Sequence, residues 1–250
     1  MSESGSVDRA LAILELFERE RRPLSLKELA YFCGIPSSTC HNLVHTLLKR
    51  SYLYQSGRRK DIYPTRRLHD MGVTILAHDP LLQRVEPIME NLRDTTRETV
   101  ILGKRQKDVI VYLDVLESPE VIRYSARAGD TKPLHSTCIG KSMLAMMKPV
   151  DIAQWLAEHP VPKVTSNTIT DPQSLTTDLN AGRQRGYFMT RGENVADVSA
   201  LAVPISLNNE LYGLAVAGPS HRIDPRCDDL ALALKRAKFS LLELGLAGQA

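Results

Sequence analysis

The stretch Gly34-Ile-Pro-Ser-Ser-Thr-Cys40-His-Asn-Leu-Val-His-Thr-Leu-Leu-Lys49 leaves the fewest folds open. Cys40, Leu43, Val44, Leu47 and Leu48 recur at i, i+3, i+4, i+7 and i+8, which makes one apolar stripe along a helix. Pro36 suits the first position of that helix. The opposite face carries Ser38, Thr39, His41, Asn42, His45 and Lys49, all hydrophilic. Upstream, residues 7–19 place Val7, Ala10, Leu11, Leu14 and Phe17 at helical spacing. Ser25 with Glu28 has the spacing of a capping box and predicts the head of a second helix. Gly34 closes that helix with a left-handed cap. Downstream, Tyr52-Leu53-Tyr54 and Ile62-Tyr63 predict two short strands around a basic, glycine-containing loop, Gln55 to Asp61. Helix, helix, tight turn, helix, basic hairpin is the plan of a winged helix-turn-helix over residues 1–65. A three-helix bundle with no nucleic-acid role fits the same spacing.

What separates the two readings is the chemistry of the free face and the placement of charge. Reading bases in a major groove needs short polar side chains that reach donor and acceptor edges. Ser38, Thr39, His41, Asn42 and His45 meet that need; Asn42 can pair with adenine through two bonds. Plain solvation of the helix is the competing role for each. Phosphate contacts are expected from Arg58, Arg59 and Lys60 in the wing and from Lys49 and Arg50 at the helix end. Residues 1–79 hold twelve Lys/Arg against nine Asp/Glu, whereas residues 80–250 hold twenty of each. The whole net charge of +3 therefore lies in the first third, where a phosphate-facing module needs it.

Residues 66–79 predict a linker helix with Leu68, Met71, Ile75 and Leu76 as its stripe. Pro80 marks a boundary, and residues 80–250 form a second domain opening with a helix over 81–93. β-Branched runs predict strands at 99–102, 109–116 and 121–124. Helices are expected at 137–147, 151–158 and 172–185, strands at 187–190, 199–206 and 211–217, and a last helix from 225 to 246. The class is α+β.

No apolar run reaches the ~20 residues of a membrane span, and the first eight residues lack the pattern of a secretory signal. A cytoplasmic protein is expected. Cys33, Cys40, Cys138 and Cys227 form no Cys-x-x-Cys pair, so reduced thiols are expected, with neither metal nor cofactor.

Leu134 to Lys141 predicts a loop running into a helix N-terminus, where backbone N–H groups and the helix dipole attract an anion such as a carboxylate. Ser136 and Thr137 add hydroxyls and His135 a tunable charge. An ordinary capped helix explains the same residues. His135 near Cys138 also raises an enzyme as a rival. A nucleophile needs a positioned base and an oxyanion site, which spacing does not supply.

Several segments, in order, carry a resemblance. Ser6-Val-Asp-Arg-Ala-Leu-Ala-Ile-Leu-Glu-Leu-Phe17, Leu134-His-Ser-Thr-Cys-Ile-Gly-Lys141, Gly192-Glu193, Ser199-Ala-Leu-Ala-Val-Pro-Ile205 and Ala217-Gly-Pro-Ser-His-Arg222 resemble segments of the IclR family of bacterial transcriptional regulators. The resemblance implies a GAF-like effector-binding domain, a homodimer or dimer of dimers, and double-stranded operator DNA bound under control of a small molecule. It implies a repressor rather than an activator, and no enzyme. It also places Thr137, Cys138, Ile139, Thr190, Ala200, Ala215 and Ala217 at an effector pocket. Tyr124, on the strand expected at 121–124, is added as a facing side chain. Relatives carry serine at the positions of Ala215 and Ala217. Alanine there, with Tyr124, Ile139 and Met189, favours a ligand with one acidic end and an apolar or aromatic body. An alternative is a thiol-based redox sensor through Cys138, whose thiol a helix N-terminus would acidify. The family's usual basic residues are replaced by Ser37 and Asn42, which makes this recognition helix less cationic.

Overall fold

The computed structural model describes residues 5–57 and 60–247. The chain divides into two compact units, residues 1–79 and 80–250.

In the first unit α1 (Ser6–Glu20), α2 (Leu26–Phe32) and α3 (Ser37–Lys49) precede a hairpin of β1 (Leu53–Ser56) and β2 (Asp61–Pro64). Ser25 and Glu28 form the expected capping box, and Gly34 takes φ 63°, the left-handed conformation that glycine adopts without strain. Pro36 is the residue before α3 rather than its first residue. Ile13, Leu16, Phe17, Leu29, Cys40, Val44, Leu53 and Ile62 make the core. Leu24 exchanges two backbone bonds with Ile62 and extends the hairpin by a bridge. After it, α4 (Arg67–Ala77) buries none of its residues and leaves Met71, Val73, Ile75 and Leu76 exposed.

The second unit is α+β. Its strands are β3 (Thr99–Gln106), β4 (Val109–Leu116), β5 (Thr131–Pro133), β6 (Phe188–Arg191), β7 (Val198–Leu207) and β8 (Glu210–Pro219). They form one antiparallel sheet in the order β5-β4-β3-β8-β7-β6. Side chains alternate between its faces. Val100, Leu102, Leu201, Val203, Leu214 and Val216 meet α5 (Leu82–Thr96) and α10 (Cys227–Ala247) on one face. Ile101, Phe188, Ala200, Ala202, Ala215 and Ala217 meet α6 (Cys138–Ala145), α7 (Pro149–Glu158) and α8 (Pro172–Arg185) on the other. A single turn, α9 (Ser220–Ile223), leads from β8 towards α10.

Residues 121–124 are not a strand. Val121 is 93% exposed and Ile122 68%, so the β-branched composition there serves no buried face. Arg222 takes the Ile122 carbonyl and Arg123 pairs with Glu117 instead. The edge strand is β5, three residues ending in proline, too short to announce itself.

Candidate functional site

The hydrophilic face of α3 is open. Ser38, His41, Asn42, His45 and Lys49 are exposed, and Thr39 is half-buried. The face is held out because Cys40 and Val44 are buried on the other side, with Leu43, Leu47 and Leu48 packed against the core. His41 and His45, one turn apart, lie with rings parallel within 2° and centroids 6.3 Å apart. Lys60 is exposed at φ 55° in the turn of the hairpin. Arg58 and Arg59 lie outside the described residues. Arg50 and Arg67 flank the Tyr52 ring at 5.9 and 5.0 Å, so Arg50 already has an aromatic partner.

In the second unit a pocket with a cavity volume of about 30 Å³ lies between the sheet and the start of α6. The β-register explains its floor. Thr190 faces Ala200 and Ala200 faces Ala217, while Ala215 faces Ile101. Three alanines at adjacent positions leave room that larger residues would fill. Thr137, Cys138 and Ile139 supply the wall from α6, Tyr124 a side wall, and Asn194, Val195 and Val198 the rim.

Tyr112 and Ile101 also line the cavity and were not anticipated. They follow from the alternation once β3 and β4 are in register. Asn194 sits one residue past Gly192-Glu193, a position the signature itself pointed towards.

Three residues expected at the cavity lie elsewhere. His135 does not line the cavity. It is buried, its Nε2 lies 2.9 Å from the Pro162 carbonyl, and burial lowers its pKa, so it is a neutral packing group. Ser136 is also buried behind the wall, where its Oγ accepts from Asn194 Nδ2 at 3.2 Å. Met189 points to the opposite face, into the core under α10, since its neighbour Thr190 faces the cavity; a strand cannot send both the same way.

The electrostatics are those of a helix terminus. Among the described residues no lysine or arginine lines the cavity. The Thr137 hydroxyl caps α6 by accepting from the Gly140 amide at 3.1 Å and donates to the Pro133 carbonyl at 2.8 Å. The backbone amides of Cys138 and Ile139 at the start of α6 favour the charged form of the Cys138 thiol. They do not acidify that thiol. Burial outweighs them and pushes it up to about 12. The expected acidified cysteine is therefore corrected to a protonated, packed one. Gly140 is required for the wall, since a Cβ there would lie 2.1 Å from the Leu134 carbonyl oxygen.

Among the described residues no helix is long and apolar enough to cross a membrane, and no group of three or more His, Cys, Asp or Glu is placed to hold a metal ion.

Comparison with known proteins places both units. Residues 6–57 match the IclR helix-turn-helix domain, and residues 73–238 match the bacterial transcriptional regulator IclR C-terminal domain. The chain is 32% identical over 241 residues to the HTH-type transcriptional regulator BhcR of Paracoccus denitrificans, covering 94% of this chain and 85% of that protein. It is 28% identical to the transcriptional repressor IclR of Escherichia coli over 247 residues, 96% of this chain and 90% of the other. The crystal structure of Thermotoga maritima IclR superposes with a TM-score of 0.81 at 24% identity, covering 96% and 98% of the two chains. An IclR homolog from Microbacterium hydrocarbonoxydans, solved in complex with 4-hydroxybenzoate, gives a TM-score of 0.75 at 24% identity and covers 95% and 97%.

Proposed function

Since the chain belongs to the IclR family of bacterial transcriptional regulators, we propose that it is a repressor whose hold on operator DNA is set by a small organic acid bound in the cavity beside α6. The chain is a DNA-binding regulator with a C-terminal effector domain. The acid is the proposed part, and the observation that carries it is the cavity itself. Its walls are mostly apolar, its floor is alanine, and its charge-attracting element is the start of a helix. Such a site suits a carboxylate on an apolar or aromatic body. The 4-hydroxybenzoate held by the Microbacterium homolog is a molecule of that description.

In this reading Ser38, Thr39, His41, Asn42 and His45 face base edges, and Lys49 with the wing cations Arg58, Arg59 and Lys60 faces phosphates. The protein acts as a homodimer or dimer of dimers in the cytoplasm, with residues 66–79 joining the DNA-reading domain of 1–65 to the effector domain of 80–250. The exposed Met71, Ile75 and Leu76 of α4 support self-association, because apolar side chains grouped on one helix gain from being covered. The acid changes DNA affinity only as far as it binds two arrangements of the oligomer unequally.

The test is a thermal-shift screen of organic acids, followed by gel shift on DNA upstream of the gene and its neighbours. Acids that raise the melting temperature should change operator affinity. A screen in which only highly polar sugar acids stabilise the protein would overturn the acid-with-apolar-body assignment.

A further inference from the structure

The rim of the cavity carries an amide whose place is set by groups outside the cavity. Asn194 lines the cavity, and its Nδ2 donates to Ser136 Oγ at 3.2 Å. Ser136 has none of its surface exposed. It precedes Thr137, the cap of α6, and the cap fixes where it stands. The backbone leading to Asn194 is held as well. Thr165 Oγ1 donates to the Gly192 carbonyl at 2.6 Å, and Thr168 Oγ1 donates to the Glu193 carbonyl at 2.8 Å. The Glu193 carboxylate accepts from Lys141 Nζ at 2.6 Å. A primary amide has two N–H groups and an acceptor oxygen. One N–H of Asn194 serves Ser136, and the rest of the group has no partner among the described residues.

A second side chain on the same cavity is set for an occupant. Thr190 is 5% exposed, lines the cavity and lies opposite Ala200 in the pairing of β6 with β7. Its hydroxyl has no hydrogen-bond partner among the described residues. Hydroxyls buried to that degree are ordinarily satisfied, so this one is directed at whatever enters. The cavity is small, about 30 Å³. At about 10–15 Å³ for each water-sized group, that is room for the two oxygens of one carboxylate. The start of α6, the Thr190 hydroxyl and the Asn194 amide therefore address one and the same head group. All three are neutral donors, and they select by direction. A longer body parts the walls as it enters, so the head group is what the folded site recognises.

We propose that Asn194 is a ligand-binding, specificity-determining residue of this cavity, whose free N–H completes, with Thr190 and the start of α6, a cradle for the carboxylate of the effector. Ser136 is its positioning residue and acts on the ligand only through Asn194. This rests on the acid reading of the cavity and deepens it, by naming the side chain that tells a carboxylate from an uncharged group of the same shape.

Titration calorimetry on the full-length protein tests it with propionate, hexanoate and benzoate, each beside its own primary amide, which keeps the body and removes the charge. The parent binds at least one of the acids in preference to its amide. Asn194→Ala weakens that acid by about ten- to hundredfold, the scale of one hydrogen bond to a charged acceptor. Asn194→Asp inverts the preference, because a carboxylate at the rim repels the acid and accepts the N–H of its amide. Ser136→Ala weakens the same acid less than Asn194→Ala does, and adds nothing when Asn194 is already alanine. A role in packing alone would lower affinity equally in both backgrounds. Melting curves of the variants confirm folding. An acid affinity unchanged in Asn194→Ala, or a preference for the acid that survives Asn194→Asp, overturns the proposal and leaves the acid reading standing. A Ser136→Ala effect that persists without Asn194 overturns the positioning role. Binding by none of the three acids, while uncharged small molecules do bind, sinks the acid reading and this inference with it.

Discussion

Lys141, with none of its side chain exposed, holds its ammonium 2.6 Å from Glu193 Oε1. Asp178 Oδ2 lies 2.7 Å from the same nitrogen. One buried cation thereby ties α6 to α8 and to the loop that follows β6, the two segments that wall and rim the cavity. Removing the cation leaves two carboxylates facing each other with little solvent. Lys141→Met should cost on the order of 3–5 kcal/mol, read as a fall in the urea midpoint with unchanged slope. A loss under 1 kcal/mol would show that the cluster relaxes into water.

Glu193 and Glu28 should respond to pH with opposite sign. Burial, working against the attraction of Lys141, raises the Glu193 carboxyl above its usual range, and its Oε2 finds no hydrogen-bond partner among the described residues. A raised acid favours the folded state when protonated. Its contribution is full below the usual glutamate value and is lost as pH rises through the folded one. Glu28 is lowered to about 2, first by the Ser25 amide and then by the Ser25 hydroxyl. Its contribution is present above about 4.5 and is lost as pH falls towards about 2. Stability–pH curves of Glu193→Gln and Glu28→Gln, each subtracted from the parent, should slope in opposite directions. Two slopes of the same sign would refute one of the two assignments.

The uneven legibility of the chain has a physical basis. The first unit was readable because local rules decide it: Ser25 and Glu28 cap across three residues, and the stripe from Cys40 to Leu48 needs only a helix. The second unit depends on pairings between residues far apart. Composition alone made Val121 to Tyr124 look like a strand, yet a strand needs a neighbour, and Arg222 and Glu117 engage that segment instead. Tyr112 became visible as a cavity residue only through its register with Gly103. Met189 was assigned to the wrong side because it stands next to Thr190, and one residue along a strand is the opposite face. His135 and Ser136 sit in the right motif but behind the wall, a matter of side-chain direction that spacing does not encode.

Filling the floor should separate ligand binding from folding. Ala217 is buried, lines the cavity and faces Ala200. Ala217→Leu puts a branched side chain into the space between them. The cost in stability should stay within the ~1–3 kcal/mol of an overpacked site, since the cavity takes up part of the added volume. Acids that raise the melting temperature of the parent should no longer raise that of the variant. A retained shift of the same size would place the binding site elsewhere.

Cys138 should be chemically silent in the native protein. With its thiol pushed up to about 12 by burial, the thiolate fraction at pH 7 is on the order of one in 10⁵. A thiol reagent should modify Cys138 only at the rate of global unfolding. Peroxide treatment should leave operator binding of the parent and of Cys138→Ser alike. Loss of binding in the parent alone would restore the redox reading against the argument from burial.

The last expectation concerns the two kinds of contact on α3. Asn42 and Lys49 are both exposed on the same helix, seven residues apart, but their chemistry differs. An amide can pair with a base through two directed bonds, whereas an ammonium at the helix end meets phosphate as a point charge. Asn42→Ala should therefore lower operator affinity by about 1–3 kcal/mol while leaving affinity for random DNA nearly unchanged. Lys49→Ala should weaken both alike and reduce the slope of log affinity against log salt by about 0.9, the release from one phosphate. Arg58→Ala with Arg59→Ala should follow the same rule, on the order of one slope unit per lost contact. Fluorescence anisotropy at four or more salt concentrations, on operator and scrambled duplexes, separates the outcomes. An equal loss on both duplexes for Asn42→Ala would remove it from base reading, and an unchanged salt slope for Lys49→Ala would turn that end of the helix away from the backbone.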